Sequence, residues 1–413
     1  MNEESRKTLM KSKNGPANRQ LIRDINQNSL LNLIKTEGPV ARTRLAELSG
    51  LSLATISYIT GDLLERNLLL ESGAAESTGG RKPVLLEIRP EGGFAIGLKL
   101  TEYEIIAVIL NLNGEIVYSE RYSFELRDHG KQAIFLLAEQ VQALIGRSGL
   151  ARAKMIGLGL GMPGLINSEK GICIDSPILG WYDVAISEPL GDLLNMPVYV
   201  DNDVNSLAIY EKLFGQGQPF DHFLTITMGR GVGLGLVING DVYRGGLGGA
   251  GEFGHTTVII DGRQCECGNL GCLEAYASDW GILHTAQEMR GEEIPANSLQ
   301  APEHEILRLL DQARAGDIVA LEAFRLAGKL LGVSLANLVN LLNPQLVLLS
   351  GSGAGAGSIL FDPMHQALEA HTFARLGQEM RLAIEPAGDE SWARGAASLV
   401  LRQFFLSPVN GGI

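Results

Sequence analysis

Four side chains that bind transition metals lie close together in the second half of the sequence. His255 is followed by Cys265, Cys267 and Cys272, with the spacing His-x9-Cys-x-Cys-x4-Cys. Three thiolates and one imidazole form a complete tetrahedral set for Zn²⁺ and leave no position for a catalytic water. The spacing therefore predicts a structural zinc site. Three buried thiols beside an unrelated histidine are the alternative, and a redox pair is disfavoured because Cys-x-Cys lacks the usual two-residue spacing.

Two polar segments near these residues have the composition of a ligand site. The 26 residues from Gly229 to Gly254 contain 11 glycines, which allow the backbone to approach a ligand closely, although turns alone would also explain them. Residues 201–205 place acidic and amide groups at a predicted strand end, where α/β folds often contact ligands. Such groups pair well with vicinal hydroxyls. An Asx turn without a ligand is the alternative.

The elements that would position these residues alternate between strand and helix patterns, which is typical of an α/β protein. Strands are predicted at Phe94–Leu100, Ile105–Asn111, Ile116–Phe124, Met155–Leu160, Val198–Val200, Phe223–Met228, Leu234–Val237 and Leu346–Ser350, and helices at Lys131–Gly146, Val204–Phe214 and Ile318–Asn340. Two strand-rich halves with flanking helices fit a two-lobed architecture with a cleft between the lobes.

Length and charge divide the chain further. Its 413 residues suggest two or three domains, and its net charge of −13 argues against a general binder of polyanions. Residues 1–90, however, hold 13 basic and 10 acidic residues, a net of +3, whereas the remainder holds 21 and 37, a net of −16. This asymmetry suggests an attached nucleic-acid module. The sequence has only four cysteines and shows neither a signal peptide nor a membrane span, so we predict a cytoplasmic protein. Of these cysteines, Cys173 is predicted to be a plain core residue.

The basic head contains a helix-turn-helix pattern. A short helix over residues 40–50 is followed by a turn at Gly50, and Ser52 is suited to cap a second helix, Leu53–Asn67. Small polar residues on the second helix would fit a major groove about 12 Å wide. We predict DNA contacts from Arg42, Arg44, Ser52, Ala54, Thr55, Ser57 and Tyr58. An ordinary pair of helices with a solvated loop is the alternative.

A β-hairpin follows the two helices. Strands at Leu68–Glu71 and Val84–Ile88 flank a glycine-containing tip that carries Arg81 and Lys82. This tip is suited to contact DNA phosphates or the minor groove, as the wing of a winged helix does.

Taken together, Gly161–Gly164, Asp201–Asp203, Gly251–His255 and the Cys265–Glu274 block resemble the ROK family of bacterial sugar kinases and sugar-responsive repressors. The resemblance extends from about Gly92 onward, and the winged helix in front resembles the repressor branch. It implies an α/β, actin-like, two-lobed sugar-kinase fold, preceded by the winged helix, with a sugar in the cleft and zinc ordering one wall. It further implies sugar contacts from Gly164, Asn202, Asp203, Glu252, His255 and Glu274.

Two of these residues carry additional roles by resemblance. His255 would contact the sugar with one ring nitrogen while the other binds zinc, which fixes its tautomer and orientation. Asp203 matches the catalytic base of the kinases and is expected to be vestigial here.

Departures from the kinase pattern favour a regulator. The Asp-x-Gly-Gly-Thr type of phosphate loop is replaced by Ile96–Glu104, and Arg230 stands where kinases usually have Thr. Phosphoryl transfer depends on positioning and charge stabilisation, so kinase activity is expected to be lost. Ile178 stands where kinases often have an Asn against the sugar, which leaves the identity of the sugar open.

The sequence therefore predicts a sugar-responsive transcriptional regulator, a repressor, acting on operator DNA as a homodimer or a dimer of dimers. The expected domains are the winged helix at 1–90, a small lobe at 91–200 completed by a helix near 391–406, and a large lobe with the zinc site at 201–390. One alternative is an active sugar kinase with an added N-terminal domain. Another is a head that docks a protein, such as a sugar transporter subunit.

Overall fold

The computed structural model describes residues 19–74, 83–292, 303–385 and 388–406. Arg81 and Lys82, the predicted tip of the wing, lie outside the described residues. None of the helices in these ranges is long and apolar enough to cross a membrane.

The head combines a helix pair with a small antiparallel sheet. Its described elements are α1 (Arg19–Glu37), β1 (Val40–Ala41), α2 (Arg42–Ser49), α3 (Leu53–Glu65), β2 (Leu69–Ala74) and β3 (Val84–Ile88), with β3 between β1 and β2. The predicted helix pair and the two strands of the hairpin are confirmed, although the first strand spans Leu69–Ala74 and not Leu68–Glu71. The first helix of the pair begins at Arg42 and not at Val40, because Val40 and Ala41 pair with Leu86 and Leu85 in the sheet.

The turn between α2 and α3 is fixed by two local features. Gly50 ends α2 in the left-handed conformation, with φ of 70°, which a glycine adopts at little cost. Ser52 begins α3 as predicted, because its Oγ accepts a hydrogen bond from the N–H of Thr55 at 3.1 Å.

We expect Ser52→Ala to lower the free energy of unfolding by about 1 kcal/mol, because the substitution removes the cap of α3. Urea denaturation of the full chain measures this effect. Ser57→Ala is the matched control: Ser57 is exposed within α3 and makes no capping bond, so its replacement should leave stability unchanged or slightly higher. Equal losses in both variants would contradict the capping role.

The first lobe of the body is built on a mixed sheet with the order β11-β7-β4-β5-β6. Its described strands are β4 (Phe94–Leu100), β5 (Glu104–Asn111), β6 (Ile116–Ser123), β7 (Met155–Met162) and β11 (Val198–Asn202). Helices α4 (Gly130–Ser148) and α5 (Ser187–Leu194) contribute to the core on one face. A small sheet in the order β10-β9-β8 adds β8 (Leu165–Asn167), β9 (Ile172–Ser176) and β10 (Trp181–Ala185). Cys173 is buried on β9, as predicted for a core residue.

The second lobe is built on another sheet, with the order β14-β13-β12-β15-β16. Its described strands are β12 (Phe223–Met228), β13 (Val232–Ile238), β14 (Asp241–Val242), β15 (Leu346–Ser350) and β16 (Arg381–Glu385). Its described helices are α7 (Glu274–Ala277), α8 (Asp279–Arg290), α9 (Glu303–Arg314), α10 (Ile318–Leu342), α11 (Ser358–His371) and α12 (Leu376–Glu379). The core of this lobe forms mainly between the sheet and helices α8 to α11.

Two helices pack side by side between the main sheets: α6 (Asp203–Phe214) and α13 (Asp389–Phe405). Helix α13 lies against β4 and β7, and α6 lies against β12 and β13. Gly97 and Gly159 pair in register on β4 and β7, directly beneath α13. A Cβ atom at Gly159 would lie 1.9 Å from the carbonyl oxygen of Ala396 on α13, so only glycine allows this close packing.

Candidate functional site

The predicted metal ligands converge in the second lobe. The ligand atoms of His255, Cys265, Cys267 and Cys272 all lie within 4.8 Å of one another, and we call these four residues the metal cluster. Burial raises the pKa of the Cys265 and Cys272 thiols, and the charge of Glu274 raises it further. Three thiols and an imidazole at these separations could hold a metal ion, and this donor set is the one that structural zinc prefers.

His255 links the metal cluster to the carboxylates predicted to bind sugar. Its Nδ1 lies 3.6 Å from the Sγ of Cys265, and its Nε2 lies 3.8 Å from a carboxylate oxygen of Glu252. One ring nitrogen therefore faces the thiols, and the other faces Glu252. Glu274 follows the last cysteine, and its Oε2 accepts a hydrogen bond from the N–H of Val232 at 2.9 Å. A carboxylate held by a backbone donor has a fixed orientation toward its neighbours.

The other predicted sugar residues meet where β7 and β11 end. Asn202 caps α6 with its Oδ1, which accepts from the N–H of Val204 at 2.9 Å, and its Nδ2 donates to the carbonyl of Gly164 at 3.2 Å. Asp203 is the first residue of α6. Burial raises the pKa of Glu252, and the nearby charges of Glu274 and Asp203 raise it further while His255 lowers it. Glu252 is therefore near residues of both predicted groups.

Asp203 has a partner that no pattern in the sequence indicates. Lys99, near the end of β4, donates to the Asp203 carboxylate, and the side chains of Lys99 and Asp203 are only 12% and 14% exposed. The Lys99 Nζ also lies 4.8 Å from the ring centre of Trp392 on α13. Lys99 belongs to the Ile96–Glu104 segment, which is predicted from the sequence to depart from the kinase phosphate loop. Its pairing with Asp203 could not be predicted, because the two residues are 104 positions apart in the sequence.

Arg244 is a second residue of the site that no pattern in the sequence indicates. Its guanidinium donates to one carboxylate oxygen of Asp201, at 2.8 Å from Nε and 2.7 Å from Nη2. The other oxygen of this fully buried carboxylate accepts from the Asn205 side chain and the Asn202 backbone. Arg244 lies within the glycine-rich segment, Gly229–Gly254, that leads to His255. Asp201 therefore joins that segment to the strand end that carries Asn202 and Asp203.

An ion pair connects the two lobes beside this site. Glu102 follows β4 in the first lobe and its side chain is 4% exposed. Its carboxylate accepts from Arg230 of the second lobe at 2.7 Å and from Arg127 at 3.3 Å. Both Glu102 and Arg230 lie in segments that are predicted, from the resemblance described above, to depart from the phosphate loops of the kinases. In this chain the two segments are joined to each other by opposite charges.

The residues predicted to contact DNA divide into an exposed group and an engaged group. Ala54, Ser57 and Tyr58 are exposed on one face of α3, and the Tyr58 side chain is 62% exposed. Of the others, Arg44 pairs with Glu47 on the surface at 3.1 Å, whereas Arg42 donates to Thr60 and to Glu71 within the head. The side chains of Ser52 and Thr55 hydrogen-bond to each other at the start of the helix.

Comparison with known proteins places these features in context. A family model described as the ROK family matches residues 95–403. A xylose repressor of Caldicellulosiruptor bescii is 27% identical over 394 residues, which cover 95% of this chain and 99% of the relative. The crystal structure of a ROK family transcriptional regulator, described as a homologue of the E. coli MLC protein, matches with a TM-score of 0.81 and 27% identity over 93% of this chain and 97% of its own. A ROK glucokinase from Streptomyces griseus, solved with glucose and AMPPNP, matches with a TM-score of 0.61 and 25% identity over 74% of this chain and 99% of its own.

Proposed function

The chain belongs to the ROK family and has its α/β sugar-kinase-like fold, and on this premise we propose that it is a sugar-responsive transcriptional repressor that binds operator DNA through its head. The observation that carries the proposal is the head itself, in which a capped helix presents Ala54, Ser57 and Tyr58 to solvent. The similarity to a regulator extends over the head, whereas the similarity to a kinase covers a smaller share of the chain.

In this proposal α3 enters the major groove. Ser57 and Tyr58 contact base edges, while Arg44 and the wing residues Arg81 and Lys82 contact phosphates. A homodimer sets two such heads on a palindromic operator, with half-sites one or two helical turns apart. The proposed domains are the head (1–90), the first lobe (91–200) completed by α13, and the second lobe (201–390).

The sugar binds, in the same proposal, between the strand end at Asn202 and the metal cluster. Asn202 and Asp203 approach it from one side, and Glu252, His255 and Glu274 approach it from the other. Zn²⁺ is held by His255, Cys265, Cys267 and Cys272, whose ligand atoms are close enough to share one ion. When bound, the ion supplies structural order: it fixes the ring of His255 and so the direction of the nitrogen that faces the sugar.

In this proposal the chain has no kinase activity, because the side chains that catalysis would need form ion pairs with other residues of the chain. A base must accept the proton of the attacked hydroxyl, but the carboxylate of Asp203 is paired with the ammonium of Lys99. In the same proposal Glu102 and Arg230 belong to the segments that correspond to the phosphate loops of the kinases, and Arg230 is paired with the buried carboxylate of Glu102 instead of being free to bind phosphate.

The test is selection of DNA duplexes from a randomised pool with the full chain, followed by affinity measurement with and without D-xylose, D-glucose or N-acetylglucosamine. We expect one sequence class to be enriched and one sugar to change its affinity by about 5- to 150-fold. Ser57→Glu should weaken binding at least about tenfold, because it brings a carboxylate to the DNA face. Ser358→Glu, on an exposed helix position in the second lobe, is the matched control and should leave binding unchanged. Failure to enrich any sequence, or sugar phosphorylation with ATP, would overturn the proposal.

A further inference from the structure

One lysine of the head reaches into the body. Lys35 lies near the end of α1, and its Nζ donates to the carbonyl oxygen of Leu213 at 2.9 Å. The same Nζ lies 4.3 Å from the ring centre of Phe214 and 5.2 Å from that of Phe405. Leu213 and Phe214 are the last two residues of α6, and Phe405 is the last residue of α13. A single head side chain therefore contacts the C-terminal ends of both central helices.

The opposite ends of these two helices lie at the candidate sugar site. Helix α6 begins with Asp203, and its 12 residues span about 18 Å. Helix α13 carries Trp392 near its start, and Trp392 contacts Lys99, the partner of Asp203. Both helices thus connect Asp203 to Lys35.

Close packing makes the two helices move together. A Cβ atom at Gly395 of α13 would lie 2.8 Å from the backbone nitrogen of Leu207 on α6, so the backbones are nearly in contact. The side chain of Arg394 on α13 also donates to the hydroxyl of Tyr210 on α6. Packed helices of this kind transmit displacement because protein interiors are dense and resist compression.

The head is fastened to the body at the same place. One apolar cluster includes Leu30 and Ile34 of α1, Leu110 of the first-lobe sheet and Phe405 of α13. Asn28 of α1 adds a hydrogen bond to the carbonyl oxygen of Leu406 at 2.6 Å. A shift of α13 therefore moves the surface on which α1 rests.

We propose that Lys35 couples sugar binding to DNA binding. Sugar bound at Asp203 displaces α6 and α13, and Lys35 converts this displacement into a change in the orientation of the head. This inference rests on the proposed function. Its physical basis is that an ammonium group bound to a helix C-terminus and two aromatic faces is stabilised only while those groups keep their arrangement. Burial lowers the pKa of Lys35 to about 8, because the low-dielectric surroundings disfavour the charged form.

The test compares Lys35→Met with the wild-type full chain. We measure the affinity for the selected operator duplex with and without the sugar that binds the wild type, and the affinity for that sugar without DNA. Methionine fills the volume of the lysine stem but donates no hydrogen bond and carries no charge. We expect the sugar-induced change in operator affinity to fall below threefold, while the sugar affinity and the thermal unfolding midpoint stay close to the wild-type values. Lys35→Arg restores charge and donors and should recover most of the response.

Lys329→Met is the matched control, because Lys329 is exposed on α10 in the second lobe. The operator affinity of this variant should respond to sugar as the wild-type affinity does. A full sugar response in Lys35→Met would overturn the inference, and so would a variant that loses sugar binding or unfolds, since Lys35 would then be merely structural. Absence of any sugar effect in the wild type would instead overturn the proposed function, and this inference with it.

Discussion

Cys272→Ser is expected to reduce bound zinc from about one ion per chain to a small fraction of that value. Cys272 is fully buried, and its Sγ lies 3.7 Å from the Sγ of Cys267 within the metal cluster. Structural zinc contributes on the order of 10 kcal/mol to a small folded site, so loss of one of four ligands should cost about 3 kcal/mol, or about a hundredfold in zinc affinity. Metal analysis of the purified protein, together with competition by a chelator, measures both quantities.

The same substitution should weaken sugar binding at least about tenfold, because the imidazole of His255 loses the ion that fixes it. Calorimetric titration with the sugar that binds the wild type measures this loss. Cys173→Ala is the matched control: it removes a buried thiol on β9, outside the metal cluster. The control should keep its zinc and its sugar affinity. Full zinc content in Cys272→Ser would contradict the assignment of the ligands, and unchanged sugar affinity in a zinc-free variant would contradict the role of the ion.

Elements whose signals are local could be predicted from the sequence almost residue for residue. The strands Val84–Ile88 and Leu346–Ser350 have the predicted ends, since their apolar runs are bounded by turn residues. Helix α3 ends at Glu65 and not at Asn67, because Asn67 adopts a left-handed conformation with φ of 57°. The small sheet of β8, β9 and β10 was not predicted, because its short strands contain the polar residues Asn167, Asp175 and Asp183 in place of a continuous apolar run.

In the candidate site, too, features with a local sequence signal could be predicted and contacts between distant residues could not. The metal cluster was predictable because its ligands are close in the sequence and have distinctive chemistry. Lys99 and Asp203 are 104 positions apart, and Glu102 and Arg230 are 128 apart. Only the topology of the two sheets brings these pairs together, so no local sequence pattern predicts them. The contacts of Lys35 were equally hidden, because its partners are a backbone carbonyl and two rings that belong to a different part of the fold.

Gly159→Ala is expected to lower the free energy of unfolding by about 3 kcal/mol, the upper part of the range for an overpacked core. The new methyl group would lie 1.9 Å from the carbonyl oxygen of Ala396, so α13 must move away from β7 by about 1.5 Å or more to restore an ordinary contact distance. Backbone atoms of a packed helix cannot turn aside as a flexible side chain can. Urea denaturation followed by circular dichroism measures the loss.

The same substitution at Gly146 should have the opposite sign. Gly146 lies in α4, and a methyl group added there would have no neighbouring atom within 4 Å. Alanine favours a helix over glycine by about 0.5 to 1 kcal/mol. Gly146→Ala should therefore raise stability slightly while Gly159→Ala lowers it. Equal effects would mean that α13 does not rest on the paired glycines. If opposite signs are found, the folded Gly159→Ala protein should also show a smaller change in operator affinity on adding sugar. The reason is that the displaced α13 carries Phe405 away from Lys35.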